Sequence, residues 1–399
     1  MTRQIYLDNA ATTAMVPEAV EAMLPFFTKA YGNPSSLYEL GQSAKSALTD
    51  ARERVARHLN ANPAEIYFTG GGTESDNWAL KATMEAYASK GKHLITSSIE
   101  HHAIMHTAEW LEKQGYEVTK LPVDEQGLVS PADLKAALRP DTTLVSIIMA
   151  NNEIGTVQPI SELAAIAHAS GALFHTDAVQ ALTHIPVDVQ ALGVDMLSAS
   201  GHKFHGPKGV GLLYIRKGVK TKSFIHGGAQ ERKRRAGTEN VPGIIGLVAA
   251  LDWSMERFDE RVTHALALRD HLIERVLAEV EHVRLNGDRL LRLPNNANFS
   301  FQFVEGESLL LTLEQKGILA SSGSACASGS LDPSHVLLAI GLPHEIAHGS
   351  LRLSLGEETT LDDIDYTVEA IKGVVTMLRA MSPLYEDFLQ GKKPISAVH

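Results

Sequence analysis

The chain has 399 residues and a formal net charge of -11 at pH 7, and its 44% hydrophobic and 21% charged residues are typical of a globular protein. Positive charges are scattered outside residues 231–237, which argues against nucleic acid as a partner. Since no apolar run approaches the roughly 20 residues that cross a bilayer, and a compact segment begins at residue 5, we expect a cytoplasmic protein without a leader peptide or a membrane partner.

Between about residue 62 and residue 215, short β-rich runs alternate with helical patterns. The predicted strands are, in chain order, EIYFT, HLITSS, LVSIIMA, ALFHTD, DMLSAS and GVGLLYI. Helical patterns over 73–90, 101–114 and 159–170 separate the first four runs. Such alternation is typical of a parallel sheet wrapped by helices. The sequence therefore predicts an α/β fold.

Longer helices dominate the chain after Pro242. The pattern predicts a helix over 243–281 and strands in NANFSFQF and SLRLSL. Thr360 and Asp363 read as a capping box ahead of a last helix, in which apolar residues recur at steps of four and three. We therefore predict two domains, a large one over 13–255 and a smaller α+β domain built from 1–12 and 256–399.

Ligands of a wound parallel sheet bind beyond the carboxyl ends of the strands, so the residues that follow each strand are the candidates for chemistry. The run GGGTESDN follows the first strand, and its glycines and the Thr73 hydroxyl at a helix start favour an anion. The run lacks the lysine of a Walker loop, so a nucleotide is not specifically indicated. By itself this pattern is weak evidence.

Histidines follow the second strand in the run IEHHAIMH. His102 and His106 are four residues apart and could share a helical face as metal ligands, although no Glu or Cys completes a zinc pattern nearby. A planar imidazole in this position could instead stack on a flat ligand. Both interpretations remain open from the spacing alone.

Amide, carboxylate and amine groups follow the remaining strands. NNEIG offers two side-chain amides that can bind oxygen atoms. Asp177 ends a buried strand and needs a cation, for which a protonated pyridine nitrogen is suitable, and Gln180 could then reach a phenolic oxygen beside it. Lys203 lies on a tight loop between two core strands. Together these groups predict a site for pyridoxal phosphate.

The motifs YLDNAATT, YGNPSS, TESDN, EHHA, NNEIG, TDAVQ, SGHKFHGPKG, RAGTEN, SSGSACASG and LRLSLG resemble, nearly end to end, the cysteine desulfurases of the NifS/IscS type within the class V aminotransferase group. The resemblance implies a pyridoxal-phosphate-dependent transferase of fold type I. Its large domain would hold a mostly parallel, seven-stranded sheet flanked by helices. The resemblance also implies a homodimer with active sites near the subunit interface.

Matching the motifs position by position assigns roles to the cofactor's neighbours. Lys203 matches the lysine that binds pyridoxal phosphate covalently, and His101 matches the stacking histidine, which also relays protons. Asp177 matches the partner of the pyridine nitrogen and Gln180 that of the ring oxygen. The positions that match phosphate contacts are Gly72, Thr73, Ser200, Gly201 and His202, with Thr238 supplied by the other subunit. Those that match cofactor or substrate-carboxylate contacts are Asn152 and Arg352, with Asn33 as a third candidate.

Cys326 is the single cysteine, which excludes an intrachain disulfide and a cysteine-based metal cage. The small and polar residues around it predict a mobile, exposed loop. By resemblance Cys326 is the nucleophile that accepts sulfur. We expect no resident metal, although Cys326 could transiently share a cluster with a scaffold partner.

The resemblance implies that L-cysteine is converted to L-alanine and a persulfide on Cys326. The sulfur would serve iron–sulfur cluster assembly through a scaffold protein of the IscU/NifU type, or tRNA thiolation. A selenocysteine lyase or a class V aminotransferase would share Lys203 and Asp177 without needing a nucleophilic cysteine. A sulfur-carrier protein without enzymatic activity would use Cys326 and no cofactor.

Overall fold

The computed structural model describes residues 4–322 and 333–392, so Cys326 lies outside the described residues. The strands are β1 Ile5–Tyr6, β2 Ile66–Thr69, β3 His93–Ser97, β4 Glu117–Leu121, β5 Thr142–Ser146, β6 Leu173–Asp177, β7 Met196–Ser200, β8 Gly211–Ile215, β9 Val283–Leu285, β10 Asn296–Phe301, β11 Ile318–Leu319 and β12 Ser350–Ser354.

The α-helices are α1 Pro17–Met23, α2 Pro25–Thr28, α3 Glu39–Leu59, α4 Gly72–Asn77, α5 Thr83–Ala86, α6 His102–Lys113, α7 Pro131–Ala137, α8 Ile160–Ala169, α9 Val189–Leu192, α10 Gln230–Lys233, α11 Val241–Glu256, α12 Phe258–Glu279, α13 Gly306–Gln315, α14 His335–Ala339, α15 His344–Ala347, α16 Leu361–Ala380 and α17 Pro383–Leu389. A π-helical turn, Trp78–Ala82, joins α4 to α5.

The central sheet has seven strands in the order β2-β8-β7-β6-β5-β3-β4. Strand β8 is antiparallel to both of its neighbours, whereas the pairs from β7 to β4 are parallel. The predicted α/β fold with a mostly parallel sheet is therefore confirmed. The edge strand β4 was not anticipated, because only its last residue is buried and its sequence lacks the apolar run of the inner strands.

Two elements differ from the sequence-based prediction. Strand β5 ends at Ser146, so the apolar residues 147–150 lie beyond the strand, where the chain approaches the other strand ends. The helix predicted over 243–281 is two helices that meet at Arg257. The guanidinium of Arg261 donates to the carbonyl of Ser254 at 3.2 Å, which satisfies an acceptor left at the end of α11.

A second apolar cluster lies apart from the core of the central sheet. It joins Ile5 and Leu7 to buried residues of α12, β10, α13, β12 and α16. The three-stranded antiparallel sheet β12-β10-β9 and the parallel pair β1-β11 contribute to it. Thr360 and Asp363 form the predicted capping box of α16. The division into 13–255 and 1–12 with 256–399 stays a prediction, which this cluster supports.

No helix in the described part of the chain is both long enough and apolar enough to span a bilayer.

Gly211 offers a test of the packing between β8 and the loop after β2. A Cβ atom there would lie 2.7 Å from the carbonyl oxygen of Ala199 and 2.7 Å from the backbone of Gly71. We expect Gly211→Ala to lower the free energy of unfolding by about 1–3 kcal/mol, since backbone must move to admit the methyl group. In Gly373→Ala, the matched control on α16, the methyl group meets nothing within 4 Å, so this variant should gain roughly 0.5–1 kcal/mol. Chemical denaturation of both variants measures the difference, and equal stabilities would contradict it.

Candidate active site

A cavity of about 390 Å³ opens beyond the carboxyl ends of β2, β3, β5, β6 and β7. Its position agrees with the general location of ligand sites in open α/β sheets. It gathers most of the residues predicted from the sequence. Those lining it are Gly72, Thr73, His101, Asn152, Asp177, Gln180, Ser200, His202, Lys203 and Arg352.

Lys203 ends a short 3₁₀ turn, Gly201–Lys203, that follows β7 directly. Its ammonium donates to the carbonyl oxygens of Ala10 at 2.6 Å and Ala11 at 2.8 Å. The side-chain amide of Gln180 donates to the same Ala10 oxygen at 2.8 Å. The N-terminal segment therefore forms one wall of the cavity and holds the amine beside Gln180.

Two buried carboxylates, Asp76 on α4 and Asp177 at the end of β6, face each other in the cavity. Burial raises the pKa of Asp177 to about 6. Two interactions oppose this rise: the N–H of Val179 donates to Oδ1 of Asp177 at 2.9 Å, and the positive charge of Lys203 lies nearby. Burial and the charge of Asp177 raise the pKa of Asp76 well above its ordinary value. Within the described ranges, Asp76 Oδ1 has no hydrogen-bond partner.

This pair of buried carboxyl groups favours a bound cation. Ligand atoms of Asp76, Asp177 and His101 lie within 4.8 Å of one another, so a metal ion or a protonated ring nitrogen would meet favourable charge here. His175, which approaches Asp76 Oδ1 at 3.8 Å, does not supply that charge, since burial lowers its pKa to about 3. The pair is therefore suited to an external cationic group.

His101 immediately precedes α6 and caps it, its Nδ1 accepting the N–H of Ala103 at 3.1 Å. Burial, and secondarily the charge of Lys203, lowers its pKa to about 4. The ring is therefore neutral at pH 7 and able to stack on a flat partner. His102 also lines the cavity, with its ring centroid 6.3 Å from that of His101, so the choice of His101 as the stacking ring stays a prediction.

The part of the cavity at the start of α4 is suited to an anion. Gly71 has φ of 148°, a conformation that favours glycine, and the chain enters α4 at Gly72. A Cβ atom on Gly72 would approach Cγ2 of Val179 to 2.7 Å, so a larger residue would displace this wall. The N–H groups at the start of α4 lie beside Thr73 and Ser200. Gly201 is buried in the turn behind them.

Arg352 lies on β12, nearly buried against the cavity. Its Nη2 pairs with Asp8 at 2.7 Å and its Nη1 donates to the carbonyl oxygen of Asn152 at 3.1 Å. Its Nε is buried and finds no partner among residues 4–322 and 333–392. A guanidinium with unused donors in a cavity is a suitable partner for a carboxylate.

Three of the predicted residues that the structure describes, Gly201, Asn33 and Thr238, do not line this cavity. Asn33 is exposed, and its side chain accepts the N–H of Ser35 at 2.9 Å. Thr238 lines a different cavity of about 150 Å³. Cys326 falls outside the residues that the structure describes.

Sequence reasoning missed three carboxyl groups that line the cavity: Asp76, described above, and the two glutamates Glu100 and Glu153. Glu100 accepts the Ser97 hydroxyl at 2.5 Å and the Ile148 N–H at 2.9 Å, and burial raises its pKa to about 8. Burial raises the pKa of Glu153 to about 7. Both belong to quoted motifs, EHHA and NNEIG, but a loop sequence alone does not reveal which polar side chain turns inward.

These groups together fit pyridoxal phosphate. The Asp76–Asp177 pair suits a protonated pyridine nitrogen, the start of α4 suits a phosphate, and the Lys203 amine lines the same cavity. The site could also activate a bound amino acid, because Arg352 offers a partner for its carboxylate.

Known proteins with similar sequences and folds agree with this chemistry. The family model for class-V aminotransferases matches residues 5–367. A cysteine desulfurase IscS of Methanosarcina thermophila is 58% identical over 96% of this chain and 94% of that protein. Another of that name from Clostridium botulinum is 54% identical over 98% of this chain and 100% of that protein. A solved NifS-like protein superposes with a TM-score of 0.88 at 38% identity, covering 94% of this chain and 100% of that one. The chain therefore belongs to the class-V aminotransferase family.

Glu100 gives a pH-dependent test of this geometry. Its carboxyl ionises near 4.5 in an unfolded chain but near 8 in the folded one, so its contribution to stability falls as the pH rises between these values. Glutamine does not ionise and can accept the same two hydrogen bonds. We expect the melting temperature of Glu100→Gln to exceed that of the wild type by an amount that grows from pH 5 to pH 8. Melting curves of the cofactor-free proteins measure it, and a constant difference would argue against a protonated Glu100.

Proposed function

We propose that this member of the class-V aminotransferase family is a pyridoxal-phosphate-dependent cysteine desulfurase. The observation that carries the proposal is the convergence of the Lys203 amine, the Asp177 carboxylate and the Arg352 guanidinium on one cavity. The names of the relatives at 54–58% identity point to the same activity.

The cofactor's contacts follow from the charges in the cavity. Asp177 would hold the protonated pyridine nitrogen, Gln180 the ring oxygen, and His101 would stack on the ring. The phosphate would lie against the group formed by Gly72, Thr73, Ser200, Gly201 and His202. Bound in this way, pyridoxal phosphate supplies an electron sink for the amino acid.

The chain's own residues bind the substrate and move its protons. Arg352 and Asn152 would bind the carboxylate of L-cysteine. Lys203 would take the Cα proton as an unprotonated amine, and its Nζ is held within the cavity by the carbonyls of Ala10 and Ala11. His101, neutral at pH 7, can accept or return a proton at the ring.

Cys326 would supply the sulfur acceptor. Its thiol loses a proton, its sulfur forms a bond to the substrate sulfur, and the bond between that sulfur and Cβ breaks. The carbon skeleton gains one proton at Cβ and regains one at Cα before it leaves as L-alanine, while Cys326 retains the sulfur as a persulfide. We propose that a scaffold protein of the IscU/NifU type, or a tRNA-thiolation protein, then receives this sulfur in the cytoplasm. Any cluster that Cys326 shares with the scaffold would be transient.

The proposal includes a homodimer, in which Thr238 of one subunit would reach the phosphate of the other. Two observations support it. Thr238 lines a cavity separate from that of Lys203 in its own chain. In addition, Leu24, Phe27, Tyr31, Leu37 and Tyr38 expose apolar surface within a short stretch, as an interface would require. Asn33 belongs to this stretch and would reach the site only through such an interface.

Mass spectrometry of the protein after incubation with L-cysteine tests the activity directly. We expect one added sulfur atom on Cys326 and L-alanine in solution. Cys326→Ala should keep the visible absorbance of the bound cofactor and lose sulfide production, whereas Lys203→Ala should lose activity by about 10²–10⁴-fold. Unchanged sulfide release by Cys326→Ala would remove this cysteine from the reaction. Transfer of the amino group to a keto acid would instead favour an aminotransferase.

Light scattering tests the dimer. We expect twice the chain mass for the wild type and a smaller mass after Phe27→Asp with Leu37→Asp, because buried charges oppose association. The exposed Leu290→Asp serves as a control that should leave the mass unchanged. A monomeric wild type with full activity would exclude a role for Thr238 across subunits.

A further inference from the structure

On each side of the segment 323–332, the described chain is hydrogen-bonded to residues that line the cavity, and we call these two attachment points anchors. On one side, Ser321 pairs with Arg352 through backbone hydrogen bonds of 2.6 and 3.3 Å. On the other side, the Ser334 hydroxyl donates to Oε2 of Glu153 at 2.5 Å, and the His335 ring donates to the carbonyl of Glu100 at 3.0 Å. Cys326 precedes Ser334 by eight residues in the sequence.

The direction of the Ser334–Glu153 bond follows from its surroundings. The Ser334 oxygen already accepts the N–H groups of Val336 at 3.1 Å and Leu337 at 3.3 Å, as the cap of α14. Its own proton is therefore available to the carboxylate, which makes Ser334 the donor. A hydrogen bond to an ionised acceptor is stronger than a neutral one.

Glu153 is held firmly enough to act as an anchor. Its N–H donates to Oδ1 of Asn151 at 2.9 Å, and its carbonyl accepts the side-chain amides of Asn296 at 3.3 Å and Asn298 at 3.1 Å. Its side chain is buried, which raises its pKa, while the charge of Arg352 opposes the rise. The carboxylate form is thus accessible near neutral pH because Arg352 faces the same cavity.

We propose that Glu153 is a positioning residue for the sulfur transfer: by accepting the hydroxyl proton of Ser334, it fixes the point at which the chain that carries Cys326 returns to the cavity. The inference rests on the proposed desulfurase function. Glu153 adjoins Asn152, whose carbonyl is held by Arg352, so this anchor and the proposed carboxylate contact share one short segment. The bond therefore relates the return point of the chain to the position of the bound substrate.

The alternative is that Ser334 only caps α14. Variants that preserve the cap separate the two roles. Aspartate is as good a cap as serine but repels a carboxylate, so Ser334→Asp should keep the helix and break the link to Glu153. Adding Glu153→Gln to Ser334→Asp restores a bond in the reverse direction, since the side-chain amide donates to the new carboxylate. Glu153→Gln alone keeps an acceptor for the Ser334 hydroxyl.

The experiment follows persulfide formation on Cys326 in a single turnover of the holoenzyme by rapid quenching and mass spectrometry. We expect Ser334→Asp to slow this step at least about tenfold, Glu153→Gln to change it less than about threefold, and the double variant to recover most of the loss. The concentration of L-cysteine that gives half of the visible absorbance change should stay the same, because Arg352 is intact.

A rate for Ser334→Asp within about threefold of the wild type, or a double variant as slow as Ser334→Asp, would overturn the inference. If Ser334→Asp does not fold, Ser334→Ala and Ser334→Thr replace it, with a slow step expected for alanine and recovery for threonine. Equal rates for these two would likewise overturn it. Absence of persulfide in the wild type would instead refute the proposed function, so the two failures are distinguishable.

Discussion

The arrangement of the cavity depends on two carboxylates that the fold buries side by side. Asp76, on α4, and Asp177, at the end of β6, are almost fully buried, and their ligand atoms lie within 4.8 Å of each other. An isolated buried charge of this kind is costly, and two are more so. A bound cation would offset this cost, and the flat, neutral imidazole of His101 alongside would favour an aromatic one.

The remaining groups of the cavity are arranged around this pair. The start of α4, the Arg352 guanidinium and the Lys203 amine line the same cavity. The central sheet brings together the strand ends that carry Gly72, Asp177 and Lys203, whereas Arg352 comes from β12 of the smaller antiparallel sheet. The single antiparallel strand, β8, returns the chain beside β7 so that the Lys203 turn is enclosed between two core strands.

The sequence was sufficient for the fold class, because buried parallel strands read as apolar runs and several helices carry recognisable ends, such as the capping box at Thr360. Ten of the cavity residues followed from the rule that chemistry lies beyond strand ends together with the family motifs. The roles of Glu100 and Glu153 did not follow, since the inward turn of a loop side chain depends on partners such as Ile148 and Ser334 that are distant in sequence. The break at Arg257 was missed for the same reason, because a side chain on α12 satisfies the end of α11.

Strand pairing, an ion pair and hydrogen bonds attach the N-terminal segment to the C-terminal part of the chain. Strand β1 pairs with β11, the Asp8 carboxylate with Arg352, and the Ala10 amide with the Ser354 hydroxyl, while the carbonyl of Ala10 receives Lys203. During synthesis on the ribosome, β1 is made long before β12, so this wall cannot be completed until β12 has been made. A nascent chain halted before β12 would therefore have a cavity that is open on one side.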